Sequence, residues 1–333
     1  MHPLYAKQWK FELPASFSQR LDSPGRPRAH ADFIKSHDVL VGRIAADNER
    51  RWRKRHNFYL NCLRDVDRNI GTILDELDAV GLTAKTIVIL TADHGDLDGA
   101  QRLHAKGATS YREQNQVPLI LAHRAYPQGE NLQGGDFAFR HRAHVGESDK
   151  RQRRQKKAIT RNLTGKNFST ILAAPERATH VAVRDGQLFC YNMFAYLDGD
   201  FFEKAAQYLL QPDGKTRIKE SGLRPDITRR GAIRTVFDRR YQFSRYFSPK
   251  QHNRPASIEA LFNLNDIELF DLQTHPLELN NLALDSKKNG DLIALMNAKL
   301  NKLLDAEVGG DVGQMLPGGV DGGWVATAAA RDL

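Results

Sequence analysis

"TIVILTADHGDLDGAQRLHAKG", residues 86–107, is the stretch on which the reading of this chain turns. Residues 86–90 are an apolar, β-branched run, suited to a strand covered on both faces as in the parallel sheets of α/β folds. The run ends in Asp93 and His94, a carboxylate and an imidazole on adjacent residues. In open α/β sheets, ligands gather outside the carboxyl ends of strands. Gly95 removes side-chain bulk and lets the backbone turn sharply. A hard divalent ion prefers carboxylate oxygens, so Asp93 and His94 are candidate metal ligands, too few for a whole site. Lys106 offers a point charge for a sulfate or phosphate oxygen. Asp96, Asp98 and His104 lie in the same loop and could support the ligands from behind.

The flanks fit a layered α/β architecture. Upstream, Trp52, Phe58, Tyr59, Cys62, Val66, Ile70, Ile73, Leu74 and Leu77 recur in steps of three and four, one stripe on a helix spanning residues 48–80. Gly81 stands where a left-handed C-cap belongs. Downstream, "VPLILAH" at 117–123 reads as a second sheet strand. Residues 1–47 carry four prolines and no sustained period, and read as irregular chain with at most one short helix. After residue 136 both periods fade. From about residue 179 they return as antiparallel strands: "THVAVRDGQLFCYNM" turning at Asp185–Gly186, "GAIRTVFDRRYQFSRYF" turning near 238–240, and "IELFDL". Leu292, Leu295, Met296, Leu300, Leu303 and Leu304 mark a terminal helix closed by Gly309. The expected organisation is an irregular 1–47, an α/β part at 48–175, a small α+β part at 176–308, and a glycine-rich tail at 309–333.

The totals exclude several classes. At 333 residues, 41% hydrophobic and 27% charged, the chain has ordinary globular proportions. No run approaches a membrane-spanning length, and the first residues lack a secretion-signal layout. Two cysteines, Cys62 and Cys190, make neither a disulfide framework nor a zinc knot. The net charge of +9 is concentrated in residues 140–161. Such a run can bind phosphate backbones, but without interleaved aromatics it reads as a solvated segment. Sequons at Asn162 and Asn167 are short patterns that arise by chance.

Residues 87–123 as a whole resemble the sulfatase family of the alkaline phosphatase superfamily. That family runs from a strand through D-[NH]-G, a short loop, a lysine and a Tyr/Glu-bearing segment to V-P-L-I. The likeness extends upstream through "FYLNCLRDVDRNIGTILDELDAVGL" and resumes at "ELFDLQTHPLELNNLA". The resemblance implies an alkaline-phosphatase-like fold: a mostly parallel sheet with flanking helices, here incomplete, plus a small C-terminal antiparallel sheet with a terminal helix. It implies a sulfuric ester hydrolase in which calcium, or magnesium, holds the sulfate against a formylglycine. Asp93 and His94 match two of the family's metal ligands and Lys106 its sulfate-contacting lysine; His104 is a further candidate at the site.

The departures set limits. Neither cysteine lies in the C/S-x-P-x-R motif that yields formylglycine, and "SPGR" at Ser23 has the wrong spacing. The family's paired N-terminal aspartates and its upstream catalytic histidine are absent, and Gln101 stands where a histidine is frequent. The segment 137–155 is polar where the family places a packed helix. These features suggest an N-terminally truncated member, inactive alone. The expected ligand is a sulfate-ester small molecule or glycan, with no specific nucleic acid and no membrane. The compartment is cytoplasmic by default, or periplasmic or secreted for full-length relatives. Two alternatives stand beside this reading: a metal-dependent phosphatase or phosphodiesterase of the same superfamily, and a basic nucleic-acid-binding protein.

Overall fold

The computed structural model describes residues 2–123, 171–172, 184–193, 197–251 and 254–310. The basic segment 140–161, both sequons, the strand expected before Asp185 and the tail beyond residue 310 lie outside the described residues.

In chain order, helices α1 (Arg28–Val41) and α2 (Glu49–Ala79) lead to strand β1 (Val88–Thr91). The one-turn helix α3 (Arg112–Asn115) precedes β2 (Leu119–Ala122). Then come β3 (Gln187–Asn192), α4 (Gly199–Leu209) and α5 (Gly214–Glu220). Strands β4 (Ala232–Phe237) and β5 (Tyr241–Phe247), helix α6 (Ile258–Leu264), β6 (Asp266–Asp271) and α7 (Ser286–Glu307) complete it.

Helix α2 forms where its period places it. The Asn48 side chain caps it by accepting from Arg51 N–H, and Gly81, at φ +70°, ends it in the left-handed region. Its stripe is not a core face, however. Trp52 is buried, but Phe58, Val66, Ile73 and Leu74 are exposed. The buried positions beside Trp52 are polar. Asn57 and Asn61 take the backbone of an extended N-terminal segment: Asn57 Oδ1 accepts from Trp9 N–H (2.9 Å), and the two amides donate to the Lys7 carbonyl (3.0 and 2.9 Å).

The expected parallel pairing is corrected. β1 and β2 pair antiparallel, Val88 opposite Ala122 and Thr91 opposite Leu119. A parallel return needs a crossover of a dozen or more residues back to the other end of the sheet. The register shows that the chain between β1 and β2 re-enters at the end it left. All strand pairs among the described residues are antiparallel. The broader expectation holds: the chain mixes helices and sheets.

The second sheet, ordered β3-β4-β5-β6, is covered on both faces. Because side chains alternate along a strand, its two faces differ in chemistry. Val236, Phe243, Ile267 and Leu269 pack with Ile293, Met296, Leu300 and Leu304 of α7. The opposite face carries Ile233, Tyr246 and Phe270, together with Thr235, Gln242, Ser244 and Glu268. Ile233 and Tyr246 meet Ala29 and Phe33 of α1 and Ala108; Phe270 meets Leu97, Leu103 and Tyr111. The loop after β1 therefore rests on the more polar face of the C-terminal sheet.

Candidate functional site

Strand β1 ends at Thr91, and Asp93 and His94 follow within three residues. His94 Nδ1 lies 2.7 Å from the Gly95 carbonyl and donates to it, which leaves Nε2 for the rest of the loop. Nε2 faces the Lys106 ammonium in a close contact, and Asp93 Oδ2 stands 3.3 Å from the same nitrogen. Asp93 Oδ1 accepts from the His94 N–H (3.0 Å). Desolvation pulls the Asp93 carboxyl upward. The His94 imidazole, backbone N–H groups and Lys106 outweigh it and hold the pKa below the ordinary carboxylate value. A carboxylate, an imidazole and an ammonium thus converge beyond the strand end, with Asp93 open to solvent.

As a metal site the arrangement is partial. Calcium takes six to eight oxygen ligands. Asp93 offers one carboxylate of that oxygen type, while His94 offers an imidazole nitrogen that Lys106 already faces. Among the described residues a separate acidic group, Asp32, Asp198 and Asp200, brings carboxylate oxygens within 4.8 Å of one another. There Arg229 already supplies the positive charge, with Nη1 2.5 Å from Asp32 and 2.7 Å from Asp198 and Nη2 2.7 Å from Asp200. Lys35 adds a contact of 2.6 Å to Asp200, whose carboxyl is held far below its ordinary value by these partners. This group is a salt-bridge network joining α1, α4 and the segment before β4.

His104 turns inward. It is 3% exposed, its ring lies 4.5 Å from His37 and 5.6 Å from Trp52, and its Nε2 is 3.7 Å from Asp38. Asp96 works on the backbone: Oδ1 accepts from Asp98 N–H (2.8 Å) and Ala105 N–H (3.0 Å). Asp98 pairs with His56 at 2.7 Å, and burial pushes its carboxyl upward against that pairing. Asp98, Gln101, Arg102 and Ala105 all have positive φ, a sparsely populated region for non-glycine residues that persists only where the surroundings enforce it.

Several residues that hold this loop left no mark in the sequence pattern. Gln114, 3% exposed, accepts from Gly107 N–H (2.9 Å) and Thr109 Oγ1 (3.0 Å), while its backbone carbonyl takes Gly95 N–H (2.7 Å). Glu278 accepts from Arg112 N–H (3.0 Å) and from Gln242 Nε2 (2.5 Å), and burial pushes its carboxyl up to about 8. Glu268, wholly buried, accepts from the hydroxyls of Tyr111 (3.0 Å) and Tyr246 (2.7 Å); burial raises it to about 7. Behind Tyr246 stands His30 Nε2 at 2.9 Å, and Arg26 Nε donates to His30 Nδ1 (3.2 Å). Burial, and then Arg26, keep the His30 imidazole neutral.

A carboxylate, an imidazole and a lysine thus meet in the loop beyond β1. Residues 8–130 match the model of the sulfatase family. That segment, the part of the chain holding Asp93, His94 and Lys106, is similar to the sulfatase family. The chain is 38% identical over 78 residues to an uncharacterized sulfatase, YidJ, of Escherichia coli, a match covering 23% of this chain and 15% of that protein. Its fold is similar to that of a 2-O GAG sulfatase (TM-score 0.56, 16% identity, 88% of this chain and 52% of the other). It is equally similar to that of the phosphonate monoester hydrolase SpPMH of Silicibacter pomeroyi (TM-score 0.56, 17% identity, 92% and 52%). The chain thus spans about half the length of these solved relatives.

Proposed function

We propose that this chain carries the electrostatic half of a sulfuric ester hydrolase site, acting on a sulfate-ester small molecule or glycan. The observation that supports the reading best is the convergence of Asp93, His94 and Lys106 beyond β1. The lysine ammonium would pair with a sulfate oxygen, a charge-assisted contact that needs no covalent chemistry. Asp93 and His94 would hold two positions of a calcium or magnesium ion, which when bound supplies Lewis-acid polarisation of the ester. No residue of the chain stands in a C/S-x-P-x-R motif, so no nucleophilic step is assigned to it.

The test has two arms. Titration of the purified chain with inorganic sulfate, followed by NMR at fixed ionic strength, should show binding that Lys106→Ala weakens about three- to tenfold. Hydrolysis of 4-nitrophenyl sulfate with added calcium should stay at background. Calcium-dependent turnover lost in Asp93→Ala would refute the half-site reading, because the chain would then hold a nucleophile of its own. The phosphoryl alternative has the likeness to a phosphonate monoester hydrolase fold in its favour. Tighter binding of inorganic phosphate than of sulfate at equal net charge, again dependent on Lys106, would favour it.

A further inference from the structure

We propose that Gln114 is the positioning residue of the His94–Lys106 pair, an inference that rests on the sulfate-site reading above. Two backbone N–H groups frame that pair, Gly95 directly after His94 and Gly107 directly after Lys106. Gln114 takes both. Its backbone carbonyl accepts from Gly95 (2.7 Å) and its side-chain Oε1 accepts from Gly107 (2.9 Å). The amide nitrogen is equally engaged, donating to the carbonyls of Thr109 (2.9 Å) and Gly107 (3.4 Å) and to Asn115 Oδ1 (3.3 Å). A buried amide whose every polar atom is used has one low-energy placement, so the gap it spans is fixed.

The two glycines make this grip close enough to matter. A Cβ at Gly95 would lie 2.0 Å from the Glu113 carbonyl oxygen, and one at Gly107 would lie 2.2 Å from the Phe33 ring. Gln114 is itself anchored from outside the loop. On its own short helix, Arg112 N–H is held by Glu278; just before it, Tyr111 is held by Glu268, and Ser110 Oγ meets Ser244 Oγ at 2.7 Å. The C-terminal sheet thus sets Gln114, and Gln114 sets the separation between the imidazole and the ammonium. Lys106 is exposed and has no buried anchor for its own chain, so its placement comes from the backbone at 107.

A double-mutant cycle on sulfate affinity separates positioning from general support. Gln114→Met keeps length and backbone but removes every side-chain hydrogen bond. It should weaken inorganic sulfate binding by the same three- to tenfold as Lys106→Ala, and the double variant should bind no more weakly than Lys106→Ala alone. If Gln114→Met does not fold by thermal melting, Gln114→Asn takes its place in the cycle; the same amide on a shorter arm cannot reach Gly107. Additive losses, or unchanged affinity in the folded single variant, would overturn the positioning role. A silent Lys106→Ala would instead overturn the sulfate-site reading, and this inference with it.

Discussion

Replacing Glu268 by glutamine should remove the pH dependence of a defined part of the stability. The carboxyl is wholly buried between β5, β6 and the site loop. The titratable and charged groups facing it are Tyr111, Tyr246, His30, Arg26, Asp266 and, through their mutual repulsion, Glu278. Its pKa stands at about 7 in the folded chain against an ordinary 4.5. The native state therefore holds a proton that the unfolded chain releases, and stability falls as pH rises from 4.5 through 7. At about 1.4 kcal/mol per pH unit, the loss amounts to about 3 kcal/mol. Glutamine cannot ionise and resembles the protonated acid in shape and hydrogen bonding. Urea unfolding at pH 4.5, 6, 7 and 8 should find Glu268→Gln within about 1 kcal/mol of the parent at the lowest pH. It should rise relative to the parent by about 3 kcal/mol by pH 8. His37, lowered to about 4 chiefly by burial, adds stability with rising pH below its ordinary 6.5. That contribution is common to both proteins and cancels in the difference. Parallel stability curves for the two proteins would refute the reasoning.

Two further substitutions test the frame around the site. Gly107→Ala drives a Cβ into the ring of Phe33, itself 1% exposed, and should cost about 2–3 kcal/mol in chemical denaturation. A neutral result would show that the loop and α1 are not in contact there. Arg229→Met strips the cation from buried Asp32 and Asp198 and should destabilise by about 3–5 kcal/mol at pH 7. The loss should shrink toward pH 3 as the stranded carboxylates take up protons. A pH-independent loss would locate its cause in packing instead.

Elements whose burial is apolar were legible in the sequence, and those buried through polar contacts were not. Helix α7, the β4–β5 turn and β6 fall where their periods place them, since each sends a regular apolar face into one core. Helix α1 lay in a segment read as irregular. Its buried residues are Ala29, His30, Asp32, Phe33 and Ser36, three of them polar, so hydropathy shows no stripe. Helix α2 shows the converse: its stripe is real, yet Asn57 and Asn61 are buried while much of the apolar face is open. The β1–β2 direction was hidden for a different reason. A β-branched run reports that a strand forms, and only the path of the connecting chain decides which way its neighbour runs.

The same division holds within the site. Asp93, His94 and Lys106 stand out in the sequence because a carboxylate, an imidazole and an ammonium follow one apolar run within a short segment. Gln114, Glu268 and Glu278 have many, and they act by accepting hydrogen bonds from backbone and hydroxyl groups that no motif encodes. Four non-glycine residues with positive φ between 98 and 105 impose a strain of order 1–3 kcal/mol each. Such a loop keeps one shape only if independent contacts over-determine it. Asp96 ties the 98 and 105 amides together within it, and Gln114 ties its two ends through the amides of 95 and 107. Each acceptor answers donors that the turn leaves without sheet or helix partners. An exposed lysine beside a half-buried histidine is thereby held by groups that never touch either side chain. For this reason the candidate site is built as much from buried acceptors on the loop and the C-terminal sheet as from the residues that would meet an anion.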